Sequence, residues 1–330
     1  MMDILISEKI SGPFVDALSK RFKVSQQPDL WEDQAALLKA VESARTLIVR
    51  NKTDVSGELL RAAKNLIAVG RAGVGLDNID LESASKLGIV VTCTPDQNSI
   101  SVAELAIGLM IALARKIPAA TEDTSAGHWN RHHFVGTELY GKTLGIIGAG
   151  KIGFLTATRA RAFGMHILAY DPFVSEDNVL VREAQAELVD LDDLLAQADV
   201  VSCHVPGSAK TDGLINGERL RRMKPTAFFI NTARGQVVKE EDLIEALKAG
   251  KIAGAALDVR SAEPPKPSEL DKMPNVILTP HIAAFTVEAQ KRVTQVVCED
   301  IARLLGGQPA KNPATRFNVP QKRAEFAKRD

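Results

Sequence analysis

The sequence predicts an α/β protein with two open domains, each built on a parallel sheet. Short runs of β-branched residues alternate with helical patterns along most of the chain. Strand, helix and strand in this repeating order form parallel sheets with right-handed crossovers. The length of 330 residues suits two domains better than one, since a domain commonly has about 150 residues.

Composition and charge narrow the classes of partner. The 41 basic and 41 acidic side chains cancel, which argues against a nucleic-acid partner or any other general polyanion. The longest apolar stretch, residues 105–114, is too short to span a bilayer, and the first residues lack the basic segment of a signal peptide. Cys93, Cys203 and Cys298 lie far apart and form no CxxC motif, which suits a reducing compartment. We therefore expect a cytoplasmic protein with no membrane partner.

The first part of the chain has the pattern of one α/β unit that ends near residue 95. Strands are predicted at residues 4–7, 46–50, 67–70 and 89–92, where β-branched residues cluster. Helices are predicted between them, at residues 35–43, 57–63 and 81–87.

A long apolar helix and an irregular segment follow this unit. The helix is predicted at residues 102–114, with Ser101 as its N-cap and Glu104 at its third position. Residues 121–139 show no clear period. A structureless stretch of this length inside a compact domain needs an explanation, such as an arm that packs on a second subunit.

The alternation resumes at Thr143 and continues to the last helix. Strands are predicted at residues 144–147, 167–170, 200–204, 227–231, 254–259 and 276–279, with a helix at 154–163 after the first of them. The final helix is predicted at residues 287–305, and Gly306 and Gly307 suit its C-terminal cap. The tail from Gln308 onward is polar and has few apolar anchors.

Two glycine motifs are candidates for binding phosphate, and their context separates them. Residues 136–143 match the spacing of a P-loop, which must join a preceding strand to a following helix. Here a poor strand precedes the motif and a good strand follows it, so we interpret it as a turn before a strand.

The second motif has the context that dinucleotide binding requires. Gly148, Gly150 and Gly153 follow a predicted strand and open a predicted helix. Asp171 comes 18 residues after Gly153, at the end of the next strand. Its carboxylate can accept hydrogen bonds from both hydroxyls of an adenine ribose, and its charge would repel the additional phosphate of NADP. We therefore predict a Rossmann domain that binds NAD, the alternatives being a glycine-rich turn without function and a methyltransferase site.

Three later strand ends carry residues suited to oxidising an alcohol. Arg234, Glu263 and His281 each follow a predicted strand, and the carboxyl ends of parallel strands meet at one edge of a sheet. This reaction needs a base, a group that holds the base, and a cation for a substrate carboxylate. Each residue alone has an ordinary alternative. Arg234 could form a surface ion pair, Glu263 could be a solvated loop charge, and His281 could be a structural histidine. Their occurrence together with the glycine loop favours catalysis.

These motifs resemble those of the NAD-dependent D-isomer-specific 2-hydroxyacid dehydrogenase family, and most closely its 3-phosphoglycerate dehydrogenase branch. The resemblance rests on residues 70–78, 98–104 and 127–143, on the glycine loop and on the three strand ends, and it extends from about residue 4 to residue 318. It implies a flavodoxin-like substrate-binding domain formed by residues 1–98 and 287–330. It also implies an inserted NAD-binding Rossmann domain at residues 99–286, with a dimerisation arm at about 118–142 and a cleft between the domains.

The resemblance also implies a role for each site residue. His281 would donate and accept the proton, Glu263 would orient it and favour the imidazolium, and Arg234 would clamp the substrate. The implied cofactor contacts are Val74, Gly148, Gly150, Lys151, Ile152, Gly153, Asp171, Val205, Thr232, Ala233, Asp258 and Ala284. The implied contacts to a small anionic 2-hydroxy or 2-keto acid are Arg50, Arg71, Gly73, Val74, Gly75 and, from the partner subunit of a homodimer, Arg131. We expect no metal, because arginine and imidazolium already polarise the carbonyl.

Several positions depart from the family pattern. Arg260 stands where an aromatic residue is usual, Ala149 and Lys151 replace leucine and arginine, and Phe285 replaces a small polar residue beside His281. These departures bear on substrate identity more than on reaction class. We also expect no C-terminal regulatory domain. Sulfolactate, hydroxypyruvate and glycerate dehydrogenases remain alternatives, and an NAD-sensing corepressor is the alternative from a different class.

Overall fold

The computed structural model of the protein describes residues 2–321, and at positions 179 and 180 it describes the backbone alone. The chain divides into two compact units, one formed by residues 2–98 and 286–321 and the other by residues 99–285. The second boundary lies between Phe285 and Thr286, where the last helix begins. Thr286 is the N-cap of that helix, and its hydroxyl accepts a hydrogen bond from the Ala289 N–H at 3.1 Å.

The first unit is built on a parallel sheet. Within the described residues this sheet has five strands in the order β2-β1-β3-β4-β5, which is the flavodoxin-like order. Its strands are β1 (Met2–Ile6), β2 (Val24–Gln26), β3 (Ala44–Val49), β4 (Ala68–Arg71) and β5 (Val90–Thr92). Its first helices are α1 (Pro13–Ser19), α2 (Gln34–Val41), α3 (Gly57–Ala62) and α4 (Leu81–Lys86).

The second unit is built on a larger parallel sheet. Seven strands of the described chain form it in the order β12-β11-β10-β9-β6-β7-β8, a Rossmann order with one more strand. The strands are β6 (Thr143–Ile147), β7 (His166–Tyr170), β8 (Glu187–Leu188), β9 (Val200–Cys203), β10 (Phe228–Asn231), β11 (Gly254–Leu257) and β12 (Val276–Leu278). The helices are α5 (Ser99–Ala114), α6 (Ile117–Ser125), α7 (Lys151–Ala162), α8 (Val179–Ala184), α9 (Leu191–Gln197), α10 (Gly217–Arg222) and α11 (Glu240–Lys248). The predicted fold class is confirmed.

The chain returns to the first unit through α12 (Val287–Leu305). Val293, Val297 and Ile301 of this helix are buried in one core with Ile4 and Ile48, while Leu5 and Leu47 face a second core on the opposite side of the sheet. Both faces of the sheet are therefore covered, as a parallel sheet requires. None of the helices in the described part of the chain has the length and apolarity needed to cross a membrane.

Two predictions around α5 are wrong. Ser101 lies inside α5 rather than at its N-cap, because Ser99 and Ser101 are themselves buried and packing extends the helix toward the N-terminus. The segment predicted to lack structure begins with α6, and residues 131–134 form a 3-10 turn. Helix α6 buries none of its side chains, so it lacks the apolar period by which a helix is recognised in sequence.

The C-terminal tail is anchored more firmly than its composition predicts. Asp300 in α12 is fully buried, and its carboxylate accepts hydrogen bonds from the Lys311 and Asn312 N–H groups at 2.7 and 3.0 Å. The Ala314 N–H donates to the Val91 carbonyl at 2.7 Å, which ties the tail to β5. Hydrogen bonds to the backbone hold this segment, and an apolar pattern does not reveal them.

Candidate active site

The glycine loop lies at the carboxyl edge of the second sheet, between β6 and α7. Strand β6 has β7 on one side and β9 on the other, so the loop sits where the strand order reverses, a usual ligand position in open α/β sheets. The Gly148 N–H donates to the Tyr170 carbonyl at 2.9 Å, which joins the loop to the end of β7. Helix α7 begins at Lys151, three residues earlier than predicted, with Gly150 as its N-cap.

Gly150 and Gly153 of the loop have different surroundings. At Gly153 an added Cβ would overlap the Gly148 carbonyl oxygen, so the protein itself needs glycine there. At Gly150 φ is −75°, and an added Cβ would meet no heavy atom within 4 Å. Neither backbone geometry nor packing requires glycine at position 150. The open space there fits the approach of a ligand phosphate, beside the N–H groups of Lys151 and Ile152 at the start of α7.

Asp171 follows β7 and contacts the glycine loop directly. Its Oδ2 accepts a hydrogen bond from the Ala149 N–H at 3.0 Å, and its Oδ1 accepts one from the Phe173 N–H at 2.9 Å. A carboxylate oxygen can accept two hydrogen bonds, so each Asp171 oxygen can still accept one hydrogen bond from a ribose hydroxyl. This arrangement fits an adenine ribose next to the pyrophosphate loop.

The ends of β9 and β10 complete this part of the site. Val205 packs against the loop, since its Cγ1 would lie 3.0 Å from a Cβ added at Gly148. Thr232 is buried, and its hydroxyl has no hydrogen-bond partner among the described residues, as expected of a group that serves a ligand. Burial lowers the pKa of His204 to about 4, so its imidazole is neutral at physiological pH. His204 was not predicted as a site residue.

His281 and Glu263 form a close pair. The imidazole Nδ1 lies 2.6 Å from the Glu263 Oε2, and both side chains are about one-third exposed, at 36% and 34%. Burial opposes ionisation of Glu263. The hydrogen bond and charge of His281, the N–H of Arg260 and the charge of Arg234 outweigh it, so the pKa of Glu263 lies below its ordinary value. The structure thus brings the three predicted catalytic residues together.

A buried carboxylate fixes the backbone on both sides of His281. Asp258 accepts hydrogen bonds from the Thr279 hydroxyl at 2.5 Å and from the Ile282 and Ala283 N–H groups at 2.9 and 2.8 Å. His281 itself has the left-handed value φ 53°, and its N–H donates to the Asp258 carbonyl at 2.8 Å. Asp258 therefore anchors the turn that carries the imidazole and ends near Ala284. Contacts of Asp258 and Ala284 with a dinucleotide stay predictions.

Arg234 is held in a turn closed by Asn231. The buried Asn231 amide donates to the Arg234 carbonyl at 3.0 Å and accepts from the Ala233 N–H at 3.0 Å. The guanidinium Nη1 donates to the Ala233 carbonyl at 2.7 Å. Gly235 follows, and an added Cβ there would overlap the carbonyl of Arg260, so this turn lies directly against the loop after β11.

Arg260 has contacts that the sequence did not predict. Its side chain is only 8% exposed and is bound by the carboxylates of Glu240 and Asp271 at 3.1 and 3.3 Å. These contacts give Arg260 a structural role in the Glu263 loop, and its bearing on substrate identity stays a prediction. Phe285, the other departure beside His281, is 56% exposed.

The first unit presents its own cationic edge. Arg71 ends β4 and pairs in register with Val49 of β3, which immediately precedes Arg50, so both arginines lie at the carboxyl edge of adjacent strands. The Arg71 Nη1 donates to the Ala72 carbonyl at 3.0 Å. Its guanidinium lies directly over Gly73, where φ is +154°, so a side chain at position 73 would displace the guanidinium. Val74 is 41% exposed in the same turn, which continues through Gly75.

Glu8 and Asn78 hold the turn of Arg50 and were not predicted. The buried Glu8 carboxylate accepts hydrogen bonds from the Arg50 and Thr53 N–H groups at 2.7 and 3.0 Å. The Asn78 amide donates to the Arg50 and Thr53 carbonyls at 2.9 and 2.7 Å. Burial lowers the pKa of Arg50, and the charge of Glu8 opposes this. A signal was available in the sequence, because Glu8 follows β1 just as Arg50 follows β3.

Arg131 lies in the exposed 3-10 turn of the arm. The Asp123 carboxylate organises the preceding turn, since its Oδ1 lies 3.2 Å from His128 Nδ1 and accepts from the Asn130 amide at 2.9 Å. The contact of Arg131 with a partner's substrate stays a prediction. Within residues 2–321, no group of three or more histidine, cysteine or acidic side chains is placed to hold a metal ion.

Comparison with known proteins agrees with this geometry. Residues 107–283 match the model of the D-isomer specific 2-hydroxyacid dehydrogenase, NAD binding domain. A D-3-phosphoglycerate dehydrogenase from Archaeoglobus fulgidus is 44% identical over 327 residues, 98% of this chain and 61% of that protein. A hydroxypyruvate reductase from Thermotoga maritima is 45% identical over 273 residues, 82% of this chain and 88% of that protein. The crystal structure of the TT0316 protein from Thermus thermophilus has a TM-score of 0.89 at 35% identity, covering 95% of this chain and 100% of that one.

The chain thus spans about three-fifths of the length of the phosphoglycerate dehydrogenase that it matches.

The two glycines should respond differently to alanine. Gly153→Ala should lower the free energy of unfolding by about 1–3 kcal/mol, because its Cβ overlaps the Gly148 carbonyl. Gly150→Ala should stay within about 1 kcal/mol of the wild type and yet bind NADH much more weakly. Denaturant unfolding and NADH fluorescence titration measure the two effects. Wild-type NADH affinity in Gly150→Ala would contradict a phosphate position beside Gly150.

Proposed function

Because the chain belongs to the D-isomer specific 2-hydroxyacid dehydrogenase family, we propose that it is an NAD-dependent oxidoreductase. Its substrate is a D-2-hydroxy acid in one direction and the matching 2-keto acid in the other. The observation that carries the proposal is the 2.6 Å contact between His281 and Glu263, with the charge of Arg234 close enough to lower the pKa of Glu263.

The three side chains divide the chemistry among them. The imidazole Nε2 of His281 accepts the proton of the C2 hydroxyl in oxidation and returns it to the carbonyl oxygen in reduction. Glu263 stays ionised across the neutral range, orients the ring through Nδ1 and favours its protonated form. Arg234 binds the substrate carboxylate or the reacting oxygen through its planar guanidinium.

NAD accepts or supplies the hydride at C2 when it is bound. We propose that Gly148, Gly150 and the start of α7 hold its pyrophosphate, and that Asp171 holds its adenine ribose. Val205, Thr232, Ala233, Asp258 and Ala284 complete this side, and the contact of Val74 with the cofactor stays a prediction. The buried Thr232 hydroxyl supports the proposal, because no described residue satisfies it.

Removing the imidazole should abolish most of the turnover. His281→Ala should lower kcat by about 10²–10⁴-fold, the usual contribution of general acid–base catalysis, and leave NADH affinity nearly unchanged. Steady-state kinetics with 2-keto acids and an NADH titration test this. Full activity in His281→Ala would contradict the mechanism. A wild type that binds NADH and turns over no hydroxy or keto acid would instead favour the corepressor alternative.

Glu263→Gln should change the pH profile of oxidation. Neutral His281 is needed to accept the proton, so activity falls in acid as the imidazolium forms. The Glu263 carboxylate favours the imidazolium, so its removal should move this acid limb to lower pH. The dependence of kcat/KM on pH measures the shift, and an unmoved limb would show that Glu263 does not act through His281.

The choice of cofactor should depend on Asp171. The wild type should prefer NAD over NADP, because the carboxylate accepts ribose hydroxyls and repels a 2′-phosphate. Asp171→Ala should narrow that preference, as measured by kcat/KM with each cofactor. Equal use of both cofactors by the wild type would remove this role of Asp171.

We propose that the substrate carries a second anionic group. Arg50 and Arg71 end adjacent strands of the first unit, and together they suit a dianionic or sulfonated terminus such as the phosphate of 3-phosphoglycerate. The N–H groups of Val74 and Gly75 would receive the carboxylate, whereas the Gly73 N–H donates to the Arg71 carbonyl at 2.8 Å. Arg131 would approach from a partner subunit. The name of the Archaeoglobus fulgidus relative favours this substrate class, while the name of the Thermotoga maritima relative favours hydroxypyruvate as the second candidate.

A homodimer fits the exposed apolar side chains of the arm. Trp129, Val135 and Tyr140 are 80%, 70% and 78% exposed. We propose that residues 118–142 pack on a second copy of the chain in the cytoplasm.

Arg71→Ala should weaken turnover of substrates that carry a second anionic group and spare those that do not. It should lower kcat/KM for 3-phosphoglycerate at least tenfold, about 1.4 kcal/mol, and barely affect an acid without the second anion such as lactate. Arg45→Ala is the matched control, because Arg45 lies at the opposite end of β3 and pairs with Asp3. Equal losses for both substrates, or a wild-type preference for lactate, would contradict the role of Arg71.

A further inference from the structure

We propose that the ion pair between Arg260 and Glu240 is a positioning device that holds Glu263 in place for His281. This inference rests on the proposed function, because positioning Glu263 matters only if His281 carries the proton. The pair lies outside the catalytic residues themselves, and neither member needs to contact substrate or cofactor.

The guanidinium of Arg260 is bound by acceptors on helix α11 and on a 3-10 turn. Its Nε and Nη2 donate to Glu240 at the start of α11, at 3.3 and 3.1 Å. Its Nη1 donates to Asp271 at 3.3 Å and its Nη2 to Ser268 at 3.0 Å, where Ser268 caps a 3-10 turn. The Arg260 and Glu240 side chains are 8% and 13% exposed. A guanidinium with this many acceptors has one defined position.

The backbone N–H of Arg260 links the fixed guanidinium to the Glu263 carboxylate. The Arg260 N–H donates to Glu263 Oε1 at 3.3 Å, while Oε2 of the same carboxylate contacts His281. The next N–H, that of Ser261, donates to Glu240 Oε1 at 2.5 Å. Glu240 therefore binds both the side chain of Arg260 and the backbone that follows it.

The contacts of Glu240 favour its ionised form. Burial opposes ionisation of Glu240, but its hydrogen bonds with Arg260 and Ser261 and the charge of Arg260 outweigh it, so the pKa of Glu240 lies below its ordinary value. The groups that face Glu263 are His281, Arg234 and the N–H of Arg260. The Arg260 carbonyl lies against Gly235, so the same residue also adjoins the turn of Arg234. A shift of residue 260 would disturb both neighbours.

Single and double variants separate positioning from stability. Arg260→Met and Glu240→Gln should each lower kcat/KM by about 10- to 100-fold, because a small misplacement of a catalytic group has an effect of this size. In both, the acid limb of oxidation should move to lower pH, as in Glu263→Gln, while NADH affinity is unchanged. Arg222→Met is the matched control, since Arg222 pairs with Glu218 and Asp192 on an exposed face of the same unit.

The double variant Arg260→Met/Glu240→Met is decisive. Replacing both members of a buried ion pair by apolar side chains of similar volume is often neutral for stability. We expect the double variant to recover the melting temperature of the wild type and to keep the displaced acid limb. Recovery of both the melting temperature and the wild-type pH profile would overturn the proposal, because the pair would then be only structural.

A measurement without turnover distinguishes this inference from the proposed function. The imidazole resonance of His281, assigned by its loss in His281→Ala, can be compared at one pH in the wild type, Glu263→Gln and Arg260→Met. The resonance in Arg260→Met should move from the wild-type position toward that of Glu263→Gln. An unchanged resonance would overturn the positioning role. A shifted resonance in a protein that turns over no hydroxy acid would show that Arg260 positions Glu263 beside His281 and would refute the proposed reaction.

Discussion

Where a parallel strand ends, the backbone N–H and C=O groups that follow lose their partners in the sheet, and they must be satisfied if they are buried. In this protein, buried or partly buried polar side chains take up these groups. Glu8 binds the turn after β3, Asn231 the turn after β10, and Asp258 the turn after β12. Asp171 likewise binds the glycine loop after β6. The geometry of the candidate site depends on these four contacts.

Two of these buried side chains, Asp258 and Asn231, lie beside a partly exposed residue of the candidate site. Asp258 is almost fully buried, whereas His281, on the turn that it anchors, is about one-third exposed at 36%. Asn231 is buried in the same way beside the partly exposed Arg234. The buried member satisfies the backbone and fixes the turn, and the partly exposed member stays accessible. A reactive side chain on a loop thereby acquires the fixed position that catalysis requires.

The sequence predicts most of the strands, and which residues follow their carboxyl ends, for a physical reason. Buried parallel strands are continuous β-branched runs, and the residues that follow them lie at one edge of the sheet. Elements without a buried apolar stripe escape this reasoning. Helix α6 buries no side chain, and β2 is a three-residue strand with partly exposed residues, so neither has a pattern to detect. Contacts between distant residues escape it as well, such as the one between Arg260 and Glu240, 20 positions apart.

A chain with no net charge can still present positive charge to an anionic ligand. Its carboxylates can be bound by backbone N–H groups, whereas its arginines are partly exposed elsewhere on the same edge of the sheet. At the strand ends of the first unit, the Glu8 carboxylate accepts hydrogen bonds from backbone N–H donors, while Arg50 and Arg71 lie at the ends of the neighbouring strands β3 and β4. In the second unit Asp258 is enclosed by donors in the same way, and Arg234 remains partly exposed. A buried carboxylate that accepts several N–H groups has its charge offset by their dipoles. The overall charge balance therefore argues only against general polyanion binding, and it is compatible with an anionic ligand at these edges.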